Sequence, residues 1–209
     1  MTENEELTEE KIFNSAKEIF IEKGMDGARM KDIASHAGIN KALLHYYYRT
    51  KEQLFNAVFE NIAGKLFQKF TPVLDPSLSL EEKLRFFFRE HITFLQNNPR
   101  LPLFLIYEVH RNPERIRRLV NNADLRRIYT IFYNQHKDEF DKYGINDNNL
   151  LQVMISIASM SVFPFAARGI IEALLSIYDL DFNQFIEDRK SFAAEFVLNA
   201  LKNYNVKNS

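Results

Sequence analysis

Residues 34–54 read "ASHAGINKALLHYYYRTKEQL", and their reading decides the fold of the amino-terminal third. Three consecutive tyrosines follow His45 and precede Arg49. Neighbouring helical residues point about 100° apart, so Tyr46, Tyr47 and Tyr48 cannot share one environment. With Asn40 as helix cap, Leu44 and Tyr48 stand four apart on one face, beside Ile33 and Ile39. That face is core. Lys41 and His45 are also four apart, on another face, flanked by Ala42, Leu43, Tyr46 and Tyr47. The spacing therefore predicts a short helix with Tyr48 inward and Tyr46 and Tyr47 largely outward.

Outward from this stretch the apolar spacing stays helical. Ile12, Phe13, Ala16, Ile19 and Phe20 stripe a first helix, and Gly24 is its stop. A second helix over about 30–37 buries Ile33 and ends at Gly38. With the helix at 40 it forms a helix-turn-helix. Thr50 and Gln53 make a capping box for a fourth helix striped by Leu54, Val58, Ile62 and Leu66. This helix, about 50–70, is expected to serve both halves of the molecule. The stretch 71–79, "TPVLDPSLS", breaks the pattern. Ser79 and Glu82 form a second capping box, ahead of a stripe of Leu84, Phe87, Phe88, His91 and Leu95. Further helical segments are expected at 102–110, 113–141 and 147–178. Asp181 and Gln184 cap a last helix carrying Phe185, Phe192, Phe196 and Ala200 on one face. The expected fold is all-α, about nine helices: a three-helix helix-turn-helix domain over 8–55, then a larger helical bundle over 56–204.

Composition bounds the rest. The chain has 209 residues, 19 Phe, 6 Gly, 6 Pro and no cysteine. That removes disulfides and thiolate chemistry and fits a reducing, cytoplasmic setting. The acidic start, "MTENEELTEEK", does not have the form of a signal peptide. Residues 148–167 are uncharged over a bilayer-spanning length. Their Asn, Gln and Ser content and Pro164 favour a buried helix over a membrane span. Net charge is −1, yet residues 27–51 hold Arg29, Lys31, Lys41, Arg49 and Lys51 against Asp32 alone. Arg111, Arg115 and Arg118 form a second basic stripe, near Arg117, Arg126 and Arg127. It reads as a solvated face, with a contact to an acidic partner or to the amino-terminal domain as the alternative.

An outward face of Lys41, Leu43, His45, Tyr46 and Tyr47 is more aromatic than a solvated face requires. It suits double-stranded DNA. Tyrosine hydroxyls bond phosphates while Lys41, at the helix start, reaches base edges. Ala42 and Leu43 let the backbone approach or meet thymine methyls, and the cap residue Asn40 is counted with them as a DNA-binding position. Lys51, at the start of the fourth helix, stands where an anion is favoured. Arg29 and Lys31 suit the other side of the groove. A protein interface is the alternative use of these aromatics. An enzyme is a remoter one: di-iron bundles need paired Glu-x-x-His, and only Glu90-His91 and Glu108-x-His110 come near. No metal site or cofactor is expected.

Residues 12–60 resemble the DNA-binding region of the TetR family of bacterial transcriptional regulators. The resemblance is carried by "FIEKG", "DIASHAGI" and "LHYYYRTKEQL". It implies a homodimeric repressor whose operator contacts fall on Lys41, Ala42, Leu43, His45, Tyr46, Tyr47 and Lys51. There are departures. Ala42 stands where glycine is frequent, Tyr48 where Phe is usual, and Arg29 where Ser or Thr often caps. The acidic tail is a poor minor-groove arm. For the dimer, Ala158, Val162 and Ala166 on the uncharged helix, with Phe185, Phe192 and Phe196 on the last, are the candidate face. Intramolecular core is the alternative. The resemblance further implies a pocket for a small-molecule effector, and the abundance of Phe points to an apolar or aromatic one. Phe87, Phe88, Phe104, Tyr107, Phe132, Phe163 and Phe165 are its candidate apolar lining, with His91, His110 or Arg168 as polar contact. For each of these, core packing is the competing reading.

Overall fold

The computed structural model describes residues 3–68, 74–122 and 125–204. The side chain of Leu66 and residues 71–73 of the expected break lie outside this set. Among the described residues there are twelve helices and no strand. The all-α expectation holds, with three more helices than anticipated.

The chain packs as two compact units. The first combines α1 (Glu3–Gly27), α2 (Met30–His36), α3 (Lys41–Tyr47) and α4 (Lys51–Gln68, through Phe67). Two later helices rejoin it, α6 (Leu101–Arg111, from Leu103) and α7 (Pro113–Asn122). Its core buries Ile12, Ala16 and Phe20 of α1, Ile33 of α2, Leu44 of α3 and Leu54, Phe55 and Val58 of α4. Phe20 meets Phe55 edge-on at 4.9 Å, and Phe104 of α6 packs against Phe55 and Phe59. Gly24 kinks α1 as expected of a stop, at φ 66°, ψ 177°, and one further turn follows it. Gly38, at φ 69°, lets the chain leave α2, with the Ile39 N–H donating to the Ala34 carbonyl at 3.0 Å.

The second unit holds α5 (Leu80–Asn97), α8 (Leu125–Gln135), α9 (Lys137–Lys142), α10 (Leu150–Ala166), α11 (Arg168–Ser176) and α12 (Phe182–Tyr204). Leu84, Phe88, Ile92 and Leu95 of α5 are buried with Ala193, Ala194, Val197 and Leu198 of α12. The predicted caps form. Ser79 and Glu82 complete a reciprocal box on α5, and Asp181 accepts from the Gln184 N–H at 2.8 Å.

The extra helices arise where single long ones were expected. Over 113–141 the chain makes α7, α8 and α9. His136 leaves helical geometry and holds Glu139 Oε1 at 2.8 Å, which starts α9 as a new helix. Over 147–178 it makes α10 and α11, bent by 75° at Ala167. Pro164 lies inside α10 and has no N–H for the Met160 carbonyl. The Arg189 guanidinium of α12 donates to that carbonyl instead, at 2.8 Å. Among the described residues no single helix is long and apolar enough to cross a membrane. The α10 helix is also less buried than expected: Leu151, Ile155 and Phe163 are exposed.

One polar contact ties α5 to α10. His91 Nδ1 lies 2.8 Å from Ser161 Oγ, and that hydroxyl donates to the Ala158 carbonyl. Ser161 therefore accepts, and the proton sits on Nδ1. Burial pushes the imidazole pKa down to about 4, so His91 is neutral near pH 7. In the unfolded chain it titrates near 6.5. Between these values the unfolded state takes up a proton that the native state refuses, so stability falls as pH drops from 6.5 to 4. The contribution is up to about 3 kcal/mol at one pKa unit per ~1.4 kcal/mol. Urea midpoints measured at pH 7 and pH 4.5 check this. The acid-side loss is expected to be smaller in His91→Gln than in the wild type.

Candidate nucleic-acid interface

The α3 helix has only seven residues, too few to be stable alone. Two contacts hold it. Asn40 Oδ1 accepts from the Leu43 N–H at 2.8 Å, and Leu44 is fully buried in the first unit's core. The opposite face is open. Lys41, Ala42, His45 and Tyr46 are exposed, and Leu43 and Tyr47 are half-buried. Tyr46 is 74% exposed, and its ring meets that of Tyr47 edge-on at 5.4 Å. Arg29 and Lys31, at the start of α2, are exposed as well. Asn40 is exposed too, though its side-chain oxygen and its carbonyl are both used within α3, while Lys51 is half-buried.

Tyr48 divides from its two neighbours as the spacing required. It ends α3 in extended geometry and is half-buried. Its phenol donates to Glu9 Oε1 of α1 at 3.2 Å. Burial, then the neighbouring Glu9 carboxylate, push its pKa up to about 12, so the hydroxyl stays protonated. Lys51 has a more structural position than anticipated. Its ammonium donates to the carbonyls of Ala28 at 3.0 Å and Asp26 at 3.4 Å, bracing the segment before α2. Arg29 precedes α2 and makes no side-chain cap, which leaves its guanidinium available to an anion.

The second basic stripe is not a solvated face at Arg115. This side chain is 6% exposed and pairs with Glu108, 1% exposed, at 3.0 Å. Its guanidinium also lies 4.5 Å from the Phe55 ring centre and donates to Met25 Sδ. The other Glu108 oxygen accepts the Met25 N–H at 3.0 Å. A Cβ on Gly24 would stand 3.3 Å from that same oxygen. Arg111 pairs with Asp26. Arg111 and Arg115 therefore grip the end of α1, which is the amino-terminal contact held as the alternative, while Arg117, Arg118, Arg126 and Arg127 are exposed, as a solvated face requires. Glu108 is engaged by Arg115 and Met25, and His91 by Ser161.

The second unit contains a cavity of about 250 Å³. Its wall is apolar: Leu74, Leu84, Phe87, Ile128, Phe132, Met154, Ile157 and Ala158, with Tyr129 and Lys83. Of the anticipated lining, Phe87 and Phe132 are in the wall. The others are elsewhere. Phe88 and Phe165 are core, His91 bonds Ser161, and Phe104 belongs to the first unit, as does the exposed Tyr107. Phe163 is exposed, and Arg168 pairs with Glu172 and stands over Phe182. Clusters of aromatic residues cannot say which rings border a void. Lys83 carried a signal that sequence reasoning missed. It sits in register with Phe87 and His91, four apart, on the apolar stripe of α5.

Of the anticipated dimer face, Ala158 lines the cavity and Val162 and Phe185 pack on the core. Ala166 is half-buried, while Phe192 and Phe196 are exposed and stacked at 6.0 Å. The open stripe of α10 is instead Leu151, Ile155 and Phe163, together with Ile170 and Leu174 of α11.

Comparison with known proteins agrees with this geometry. The family described as bacterial regulatory proteins, tetR family, matches residues 12–58. The chain is 31% identical over 80 residues to the biofilm operon icaADBC HTH-type negative transcriptional regulator IcaR of Staphylococcus epidermidis, covering 38% of this chain and 43% of that protein. It is 29% identical over 75 residues to the HTH-type transcriptional repressor KstR2 of Mycolicibacterium smegmatis, covering 36% and 37%. The match thus spans about two-fifths of each relative's length. The structure of the transcriptional regulator FadR from Bacillus subtilis in complex with stearoyl-CoA shares the fold, with a TM-score of 0.61 at 15% identity over 88% of this chain and 96% of that one.

The buried pair on α6–α7 has a measurable consequence. Glu108→Ala leaves the Arg115 guanidinium buried without its counter-charge and is expected to cost about 3–5 kcal/mol. Chemical denaturation reads the loss. The double variant Glu108→Leu, Arg115→Met is expected to regain most of it, since neither charge is then stranded.

Proposed function

We propose, for a chain that belongs to the TetR family of bacterial regulatory proteins, that it is a homodimeric repressor released from its operator by a small ligand. The observation that carries the DNA reading is the division of α3. Leu44 anchors it inside, while Lys41, His45 and Tyr46 project outside. A helix of this kind reads base edges through its first residues and phosphates through its flanks. Lys41 is the base-reading residue of this set. Tyr46, Tyr47, Arg29 and Lys31 serve the backbone.

One such helix touches too little DNA for specificity. Two copies would read half-sites about 34–36 Å apart, or a multiple of that spacing. The exposed apolar stripes of α10 and α12, around Ile155, Phe163, Phe192 and Phe196, support self-association. The cavity in the second unit supports a ligand, and its wall is mostly apolar. A ligand preferring one separation of the two reading heads shifts the population toward it. Coupling of about 1–3 kcal/mol changes DNA affinity roughly 5–150-fold. The site of action is the cytoplasm, where the DNA is.

Gel-shift titration of the purified protein on its own upstream region tests this. Retardation is expected at low salt and should weaken steeply as salt rises. Lys41→Ala is expected to cost about 1–3 kcal/mol and to relax preference at one base position. Tyr46→Ala is expected to weaken binding evenly across sequences. Absence of retardation at any low-salt concentration, or monomers in sedimentation with DNA present, would overturn the reading.

A further inference from the structure

The cavity wall contains one feature that an apolar ligand does not explain. Lys83 is 1% exposed, and its ammonium is in the second unit's interior. Burying a cation away from water is costly unless a counter-charge meets it. Among the described residues no carboxylate lies within 4.0 Å of its Nζ. The nearest acids are committed elsewhere. Asp75 Oδ1 accepts from the Ser77 N–H and hydroxyl, at 2.9 and 2.6 Å. Glu139 Oε1 accepts from His136 Nδ1 at 2.8 Å and from the Leu80 N–H at 3.4 Å. Burial holds the Lys83 pKa below the ordinary lysine value, and the two acids oppose this only from a distance.

The direct partners of Nζ are weak ones. Gln135 Oε1 accepts at 2.9 Å, and this amide is itself held, its N–H donating to the Leu74 carbonyl at 2.9 Å. The Phe132 ring centre lies 5.8 Å away. An ammonium has three donors, and these partners use one and a ring face. Gln135 and Leu74 fix where the ammonium stands, and Phe132 and Leu74 are both in the cavity wall. Tyr129, the other polar side chain of the wall, directs its hydroxyl to Asp147 at 3.5 Å.

We infer that the ligand of this cavity is an amphiphile with one anionic head, a carboxylate on a medium-length alkyl chain, and that Lys83 receives the carboxylate. The inference deepens the ligand reading above and rests on it. The volume of about 250 Å³ sets the size. At ~30 Å³ per water-sized group it holds about eight such groups, so the ligand is medium-chain. A neutral ligand leaves the lysine without a counter-charge. A cationic one is repelled.

The test measures binding of octanoate, octan-1-ol and octylammonium to the full-length protein by calorimetry, with Lys83→Met alongside. Octanoate is expected to bind at least tenfold more tightly than octan-1-ol, and octylammonium least. In Lys83→Met the octanoate preference is expected to vanish, with octan-1-ol bound as before or more tightly. Equal binding of octanoate and octan-1-ol to the wild type would overturn the headgroup assignment alone. So would undiminished octanoate binding by Lys83→Met. Binding of none of the three would instead remove the ligand reading on which the inference rests. Should Lys83→Met fail to fold, the three-way comparison on the wild type still decides.

Discussion

A single carboxylate organises the first unit. Glu108 accepts the Met25 N–H with one oxygen and the Arg115 guanidinium with the other. Through them it links the kink in α1 to α6 and α7, which arrive more than eighty residues later in the chain. Gly24 has two reasons to be glycine there. Its φ of 66° suits no other residue well, and a side chain would crowd the Glu108 oxygen. The Arg115 guanidinium lies over Phe55, so this polar knot is continuous with the aromatic core of α4. The short helix α3 joins the same core through Leu44.

The second unit solves a different problem. Its most apolar helix, α10, contains a proline that leaves a carbonyl without its usual donor. Arg189 supplies the bond from α12. The place of Arg189 against α10 is explained by that one oxygen, since an unmet buried acceptor costs about 1–3 kcal/mol. His91 and Ser161 form a comparable cross-link at α5. In both cases a polar residue on an apolar stripe marks a backbone or side-chain group that needs a partner. Lys83 breaks the pattern, because its protein partners meet only part of its need.

Much of this was legible from sequence, and the misses have physical causes. Caps at Asn40, Thr50, Ser79 and Asp181 were readable because the donor and acceptor lie within three residues of each other. The inward turn of Tyr48 followed from its spacing to Leu44, though its partner Glu9 did not. The break at His136 was missed because neither proline nor glycine marks it. The Arg115 burial was missed because Glu108, seven positions earlier, shares with it a contact to Met25 that no local pattern announces. Cavity and dimer residues were the hardest. Which side of an apolar helix meets a void, a core or open solvent depends on packing between distant segments, and periodicity reports only that the side is apolar.

The brevity of α3 has an evolutionary corollary. Its attachment rests on a cap at Asn40 and a plug at Leu44. The His45 ring adds a bond to the Arg49 carbonyl at 3.3 Å, so it is Lys41, Ala42 and Tyr46 whose exposed side chains can drift at little thermodynamic hazard. A few codon changes at these positions would redraw the outward face of this heptapeptide, while its seat in the first unit passes on unaltered.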